Sequence, residues 1–210
     1  MKSVYFDKKT KFKSCDALKE ISGISNIYFE KDTTVTFEGK ISLNHGINFS
    51  GECFIGDGVS IDSGCTLKEV RIGKNSSVRG HSLIENSSFG ESNIIGPFCF
   101  VRNKTQVGSK CIIGSHVEVT RSIIGSDVKI SHQAFIGDAN IDNSVIIGAG
   151  VVFCNYDGSS KKITYIGKGT VVGSGCMLIA PLKIGSYVTI GAGSVVNKEI
   201  QDNTKYIQKR

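Results

Sequence analysis

Tryptophan is absent from this sequence, and proline occurs only twice in 210 residues, whereas glycine occurs 25 times. Many glycines with few prolines suit a fold built from many regular tight turns rather than a disordered linker. No apolar run approaches the ~20 residues needed to span a bilayer. The opening Met1-Lys2-Ser3-Val4-Tyr5-Phe6-Asp7 carries charge where a signal peptide needs an apolar core. Seven cysteines, an odd number, are dispersed with no C-x-x-C pair, as expected in a reducing compartment. Together these absences predict a cytoplasmic chain without a membrane span. Nor is there a basic stripe interleaved with aromatics. The formal charge is +6, with local clusters only near Lys8 to Lys13, at Lys161-Lys162 and at the extreme end, which excludes a nucleic-acid partner. A mild positive field suits phosphate-bearing small molecules. The length allows one sizeable core and hardly two.

What the chain does contain is a rhythm of six. An apolar residue followed by glycine recurs at Ile55, Ile72, Ile95, Val107, Ile113, Ile124, Ile136, Ile147, Ile166, Val172, Ile184 and Ile190. Most gaps are six or near multiples of six, and a few of five shorten a corner. Four residues after many markers stands a small or β-branched residue, as at Val59, Val117, Val128, Ala134, Val151, Thr170, Val188 and Ser194. This pattern predicts an all-β, left-handed parallel β-helix, a hexapeptide-repeat solenoid in which three short strands close a triangular coil and each marker stacks inward on the next. A helix lacks this period, and a β-sandwich alternates at two without a fixed count of six. Cys53, Cys65, Cys99, Cys111 and Cys176 fall in the small inward slot and are expected to be buried structural thiols.

The repeat predicts a cap over residues 1–34, a solenoid over 35–200 and a polar, basic tail over 201–210 that frays unless it docks. Within the cap, 16–21 suits a helical turn and Ser25 to Phe29 a strand. The cap covers an open coil end; a substrate-recognition element is the other reading. The rhythm stops once more, at VFCNYDGSSKKITYIG, Val152 to Gly167. A solenoid interior is filled by its markers, so a loop over 155–165 must project outward and wall an external cleft, and such loops tend to be functional. Counted as one side of one coil, the loop puts Asn155, Ser174 and Ala192 in one column, with His132 and Ala149 in the neighbouring one. Cys154 has no basic partner in sequence and is read as structural rather than nucleophilic.

Three segments then carry a family resemblance: IGPFCFVRNKTQVGSKCIIGSHVEVTRSIIGSDVKISHQAFIGDA (Ile95 to Ala139), IGAGVVFCNYDG (Ile147 to Gly158) and IGKGTVVGSGCMLIAPLKIGSYVTIGAGSVV (Ile166 to Val196). They resemble the C-terminal hexapeptide-repeat acetyltransferase domain of the bacterial bifunctional glucosamine-1-phosphate acetyltransferase/N-acetylglucosamine-1-phosphate uridyltransferase. CNYDG with a histidine 23 residues ahead of its asparagine (155 − 132) is the specific part; the repeat alone marks every hexapeptide acyltransferase. The Gly-rich L-A-A-G-x-G-T loop of the uridyltransferase half has no counterpart, so that activity is not expected.

The resemblance implies acetyl-CoA as donor, no metal, and a homotrimer with sites between subunits. It implies His132 as general base, Asn155 and Tyr156 as catalytic loop positions that also contact acetyl-CoA, and a backbone N–H of that segment as oxyanion donor. It implies Ala149, Ser174 and Ala192 along the acetyl-CoA slot, and Arg102 and Lys161 on the sugar phosphate. Three positions depart from the pattern: Thr120 replaces a phosphate-binding lysine, Phe135 a tyrosine and Ile146 an asparagine. Arg121, beside Thr120, is a candidate to compensate. The implied activity is N-acetylation of an amino-sugar phosphate of the glucosamine-1-phosphate type. An acetyltransferase for another, nucleotide-linked sugar of surface polysaccharide, and a non-catalytic relative, are the alternatives. A γ-class carbonic anhydrase shares the fold but needs an H-x-x-x-x-H run for its zinc, and none occurs.

Overall fold

The computed structural model describes residues 2–14, 16 and 26–208. Its short strands form one continuous sheet wound into a left-handed solenoid of about 10 turns. Most parallel pairing links residues 17 or 18 apart, as Ile113 with Ile130 and Val172 with Ile190, and pairs that span the loop are 25 apart, as Ile147 with Val172. Each apolar marker therefore meets a marker, and the stack is dry: Ile113, Ile130, Ile136, Phe153, Leu178 and Ile190 are all buried. Side chains alternate across each strand, so the residues flanking a marker face outward.

The pairings define three faces. Face A runs through Ile113, Ile130, Ile147, Val172 and Ile190. Face B runs through Val119, Ile136, Phe153, Leu178 and Val196. Face C runs through Ile124, Ile141, Ile166 and Ile184. The predicted side assignment beyond the loop is corrected here. Ile166 pairs with Ile141 on face C, not on face A, and every later marker shifts by one face. The loop is an insertion at the B/C corner, not a substitute for a side.

The inward corner slots hold Val59, Val117, Val128, Ala134, Val151 and Val188, all buried, together with Cys53, Cys65, Cys99, Cys111 and Cys176. Burial raises the thiols of Cys53, Cys65 and Cys111, and pushes Cys99 up to about 11. Other corner slots are polar, among them Asn93, Thr170 and Ser194. Asn93 is 1% exposed, its Nδ2 donates to the carbonyls of Gly90 and Gly108 at 2.9 Å each, and its Oδ1 accepts from the Cys111 N–H at 2.8 Å. It staples two successive coils from inside.

The ends differ in detail from the sequence expectation. Parallel pairing begins ahead of residue 35, because Ile27–Phe29 lies on Ile47–Ser50 and Ile27 is fully buried. Lys2–Phe12 runs antiparallel along Thr34–Leu43, outside the coil, with Phe12 edge-on to Phe37. The expected helical turn lies outside the described residues from Ala17 on. The tail does not fray at its start: Lys205–Tyr206 pairs parallel with Thr189–Ile190, and Gln208 accepts the Val195 N–H at 2.7 Å.

Candidate functional site

The corrected register sorts the candidate residues onto the two edges of face B. At the A/B corner, His132 stands two residues after Ile130, Ala149 after Ile147, Ser174 after Val172 and Ala192 after Ile190. These four markers stack in one column, so His132, Ala149, Ser174 and Ala192 form one line. The next residues in line are Gly150, Gly175 and Gly193, all at φ near +70°. Beyond the histidine the corner is thus a strip with almost no side chain, three coil steps or about 14 Å long. That is the shape a thin ligand arm needs. His132 ends strand Lys129–His132, is exposed, and its ring makes no hydrogen bond among the described residues. Its neighbour in the previous coil is Ser115, whose Oγ lies 2.7 Å from Nδ1 of His116. His116 in turn stacks on Phe98.

Asn155 is not in that line. It follows strand Val152–Cys154 of face B, so it stands at the B/C corner, stacked on Asp138 one coil below. A face spans some five residues at about 3.3 Å each, which puts His132 and Asn155 of one chain roughly 15 Å apart. They do not meet within a protomer.

The B/C corner is wired tightly. Asn155 is 8% exposed and its Nδ2 donates to Asp138 Oδ2 at 2.5 Å. Arg121, two coils below Asn155, grips the same carboxylate with Nε at 2.7 Å and Nη2 at 2.9 Å. The Arg121 guanidinium holds the Asp138 carboxyl below its ordinary range; the Asn155 amide and the Lys161 charge add to this against partial burial. Arg121 is raised in return, chiefly by Asp138. Its Nη1 also donates to Thr120 Oγ1 at 3.0 Å, as does Asn103 Nδ2. Thr120 is 1% exposed. Arg121 therefore does not stand in as a free cation for the lysine that Thr120 replaces; its charge is spent on Asp138.

The loop from Asn155 to Ile163 is a tight hairpin. Tyr156 and Lys161 form an antiparallel bridge, with Lys162 N–H on Asn155 O and Asp157 N–H on Ser160 O. Asp157 caps the turn from the backbone N–H groups of Ser159 and Ser160, and they hold its carboxyl well below the usual range. The Asn155 N–H is occupied by Phe153 O at 2.9 Å. The Tyr156 N–H makes no hydrogen bond among the described residues, so of the two amides expected as oxyanion donors it is the free one. Tyr156 is exposed and its hydroxyl donates to Gly158 O at 2.7 Å. Lys161 is exposed beside it.

On the floor of face B, Arg102 pairs with Glu118 Oε1 at 2.5 Å and lies over the Phe100 ring. Its Nε is buried without a partner. Phe135 follows on the same face, half-buried. Ile146 faces outward from face A, 41% exposed, between Lys129 and Val171. Val152, Met177, Ile179 and Val195 expose an apolar run up face B. Sequence reasoning missed Asp138, Gly137 and Glu118; the 17-residue step back from Asn155 to Asp138 was the available signal. Among the described residues no group of three His, Cys, Asp or Glu side chains could hold a metal ion. No helix among them is long and apolar enough to cross a membrane.

The hexapeptide-counted, left-handed coil is the fold seen in hexapeptide-repeat acyltransferases. The family profile "Bacterial transferase hexapeptide (six repeats)" matches residues 163–198. More particularly, the chain is similar to the C-terminal acetyltransferase domain of the bifunctional protein GlmU. It is 38% identical to GlmU of Baumannia cicadellinicola over 194 residues, 92% of this chain and 38% of that protein. It is 41% identical to GlmU of Acidithiobacillus ferrooxidans over 158 residues, 75% and 35% of the two chains. The chain thus spans under two fifths of the length of these relatives. Among solved structures, the UDP-N-acetylglucosamine acyltransferase from Campylobacter jejuni superposes with a TM-score of 0.64 at 14% identity, covering 84% of this chain and 67% of that one. At that identity the likeness concerns the fold alone.

Proposed function

We propose that this chain is an acetyl-CoA-dependent sugar acetyltransferase, working in the cytoplasm as a homotrimer and N-acetylating an amino-sugar phosphate of the glucosamine-1-phosphate type. The observation that carries this is the split site: a histidine heading a bare strip on one corner, and an asparagine-bearing loop on the other. Small residues at Ala149, Ser174 and Ala192 suit the donor's thin arm, and the likeness to GlmU supports a hexapeptide-repeat sugar acetyltransferase.

In the proposed reaction the acceptor amine attacks the thioester carbonyl. A C–N bond forms, the C–S bond breaks, and His132 takes the amine proton and passes it to the departing thiolate. The developing oxyanion is met by the free Tyr156 N–H, a contribution of about 3–4 kcal/mol for such donors. Asn155 fixes the bound groups. Arg102 and Lys161 are the phosphate contacts. No metal is required by this chemistry.

The ~15 Å gap supports the trimer. Closing it needs the A/B corner of one subunit against the B/C corner of the next. Repeated threefold, that turns face B toward the axis, where the exposed Val152, Met177, Ile179 and Val195 bury against their copies. The test is acetyl transfer from radiolabelled acetyl-CoA across glucosamine-1-phosphate, glucosamine, UDP-linked amino sugars and hexoses, with His132→Ala beside the wild type. Turnover on glucosamine-1-phosphate that the variant loses supports the proposal. Turnover only on another acceptor overturns the substrate and makes Thr120, Phe135 and Ile146 the specificity positions. Binding of acetyl-CoA without any turnover overturns the enzyme.

A further inference from the structure

Three corner residues in successive coils, Arg121, Asp138 and Asn155, form a strut, and from its geometry we infer that Asp138 is a positioning residue that decides which way the Asn155 amide faces. The inference rests on the reading of the loop as part of an acyl-transfer site, and it adds residues that no family pattern above assigns.

The chemistry of the contact is one-sided. An ionised carboxylate only accepts hydrogen bonds. Asp138 therefore selects the NH2 end of the Asn155 amide, at 2.5 Å, over the oxygen end. A hydroxyl or a backbone carbonyl–amide pair in its place would tolerate either orientation. Arg121 holds both carboxylate oxygens from below, so the acceptor cannot swing away. Both Arg121 and Asp138 adopt left-handed φ, 49° and 51°, a conformation that non-glycine residues take at a cost.

A second observation points the same way. A Cβ at Gly137 would sit 2.5 Å from Asn155 Nδ2 and 2.9 Å from Phe135 Cζ. Glycine at 137 lets the amide lie flat across the backbone of the coil below, beside the Phe135 ring, and still reach Asp138. With Nδ2 engaged, the Asn155 Oδ1 is left without a partner among the described residues, although the side chain as a whole is 8% exposed. It stands one residue from the free Tyr156 N–H. The loop thus offers one fixed acceptor and one fixed donor side by side. The fixed acceptor takes an N–H, which both the donor's arm and the incoming amine can present.

The network also reaches the acceptor face. Arg121 bonds Thr120, and Asn103 bonds Thr120 from the other side. The position where the family's phosphate-binding lysine is lost is thus wired into the loop strut.

The test exchanges the two side chains one at a time, and only the completed exchange is charge-neutral. In Asp138→Asn, the new amide keeps an oxygen for Arg121 but turns an NH2 against the Asn155 NH2. The Asn155 amide flips, and kcat/KM falls about 10- to 100-fold. Adding Asn155→Asp restores the bond with its direction reversed and returns an oxygen to the site. The double variant recovers at least about tenfold of that loss. The KM that rises in the single variant, for acetyl-CoA or for the amino sugar, tells which N–H is received. A structural prop alone would lower thermal stability in both variants and give no recovery. Hydrogen exchange of the Asn155 side-chain amide by NMR gives a readout free of turnover: protected in the wild type, unprotected in Asp138→Asn. A single variant with wild-type kcat/KM, a folded double variant no better than the single, or an unprotected wild-type amide would overturn the inference. A wild type that acetylates no acceptor would sink the acetyltransferase proposal, yet leave the exchange experiment to decide the strut.

Discussion

Replacing His132 by alanine separates chemistry from folding. The ring is exposed and bonds nothing among the described residues, so its loss leaves no cavity and no orphaned polar group. Exposed positions of this kind change stability by no more than about 0.5 kcal/mol. If His132 takes the proton of the attacking amine, its removal costs the full general-base contribution, about 10²- to 10⁴-fold in kcat, or roughly 3–5 kcal/mol of barrier. The assay is label transfer from acetyl-CoA at saturating acceptor, with thermal melts run in parallel and acetyl-CoA affinity measured by equilibrium dialysis. His116→Ala is the control, because His116 is held by Ser115 and Phe98 and is assigned no proton transfer. Loss of kcat with melting temperature and donor affinity unchanged is the expected result. A kcat within tenfold of wild type would refute the assignment, and so would an equal loss in His116→Ala.

Three further outcomes follow from the same structure. Asn93→Ala leaves the Cys111 N–H and the Gly108 carbonyl unpaired inside the coil, while the Gly90 carbonyl keeps the Ser76 hydroxyl; chemical denaturation should show a loss of about 2–4 kcal/mol. Met177→Glu puts a charge in the exposed apolar run of face B; light scattering should report monomers where the wild type is trimeric, and a trimeric variant would move the interface elsewhere. Asp138 has a lowered folded pKa, set first by Arg121. Its stabilising contribution is therefore complete above the ordinary carboxylate pKa of about 3.9 and is lost as pH falls through the lower folded value. Melting temperature against pH should fall less steeply below that range in Asp138→Asn than in the wild type.

The coil was legible because its signal is arithmetic. Inward markers at Ile113, Ile130 and Ile147 are forced by stacking, and the cysteine slots follow from the same count. The loop's place was not. Counting an eleven-residue excursion, 155–165, as one missing side is natural on a strict period. However, the Tyr156–Lys161 hairpin closes on itself and returns the chain to the corner it left, so Thr164–Ile166 is already the next strand. That single step moved Ser174 and Ala192 out of the line of Asn155 and into that of His132 and Ala149. It turned a site expected near one edge into one split across a face. Arg121 misled for a similar reason. Its place beside Thr120 suggests a replacement cation, but it sits in a left-handed corner, at φ 49°, where the side chain meets Asp138. The start of the coil at Ile27 was hidden because the first rung carries only three strand residues, too few to show a period.

The most direct measurement mixes two dead variants. His132→Ala and Asn155→Ala are unfolded together in equal amounts, refolded and assayed for acetyl transfer. If each site takes its histidine from one subunit and its loop asparagine from the next, three quarters of random trimers are mixed and each of these holds one intact site of three. About one quarter of wild-type activity should return. A mixture as inactive as its two parents would contradict the split site on which the account depends.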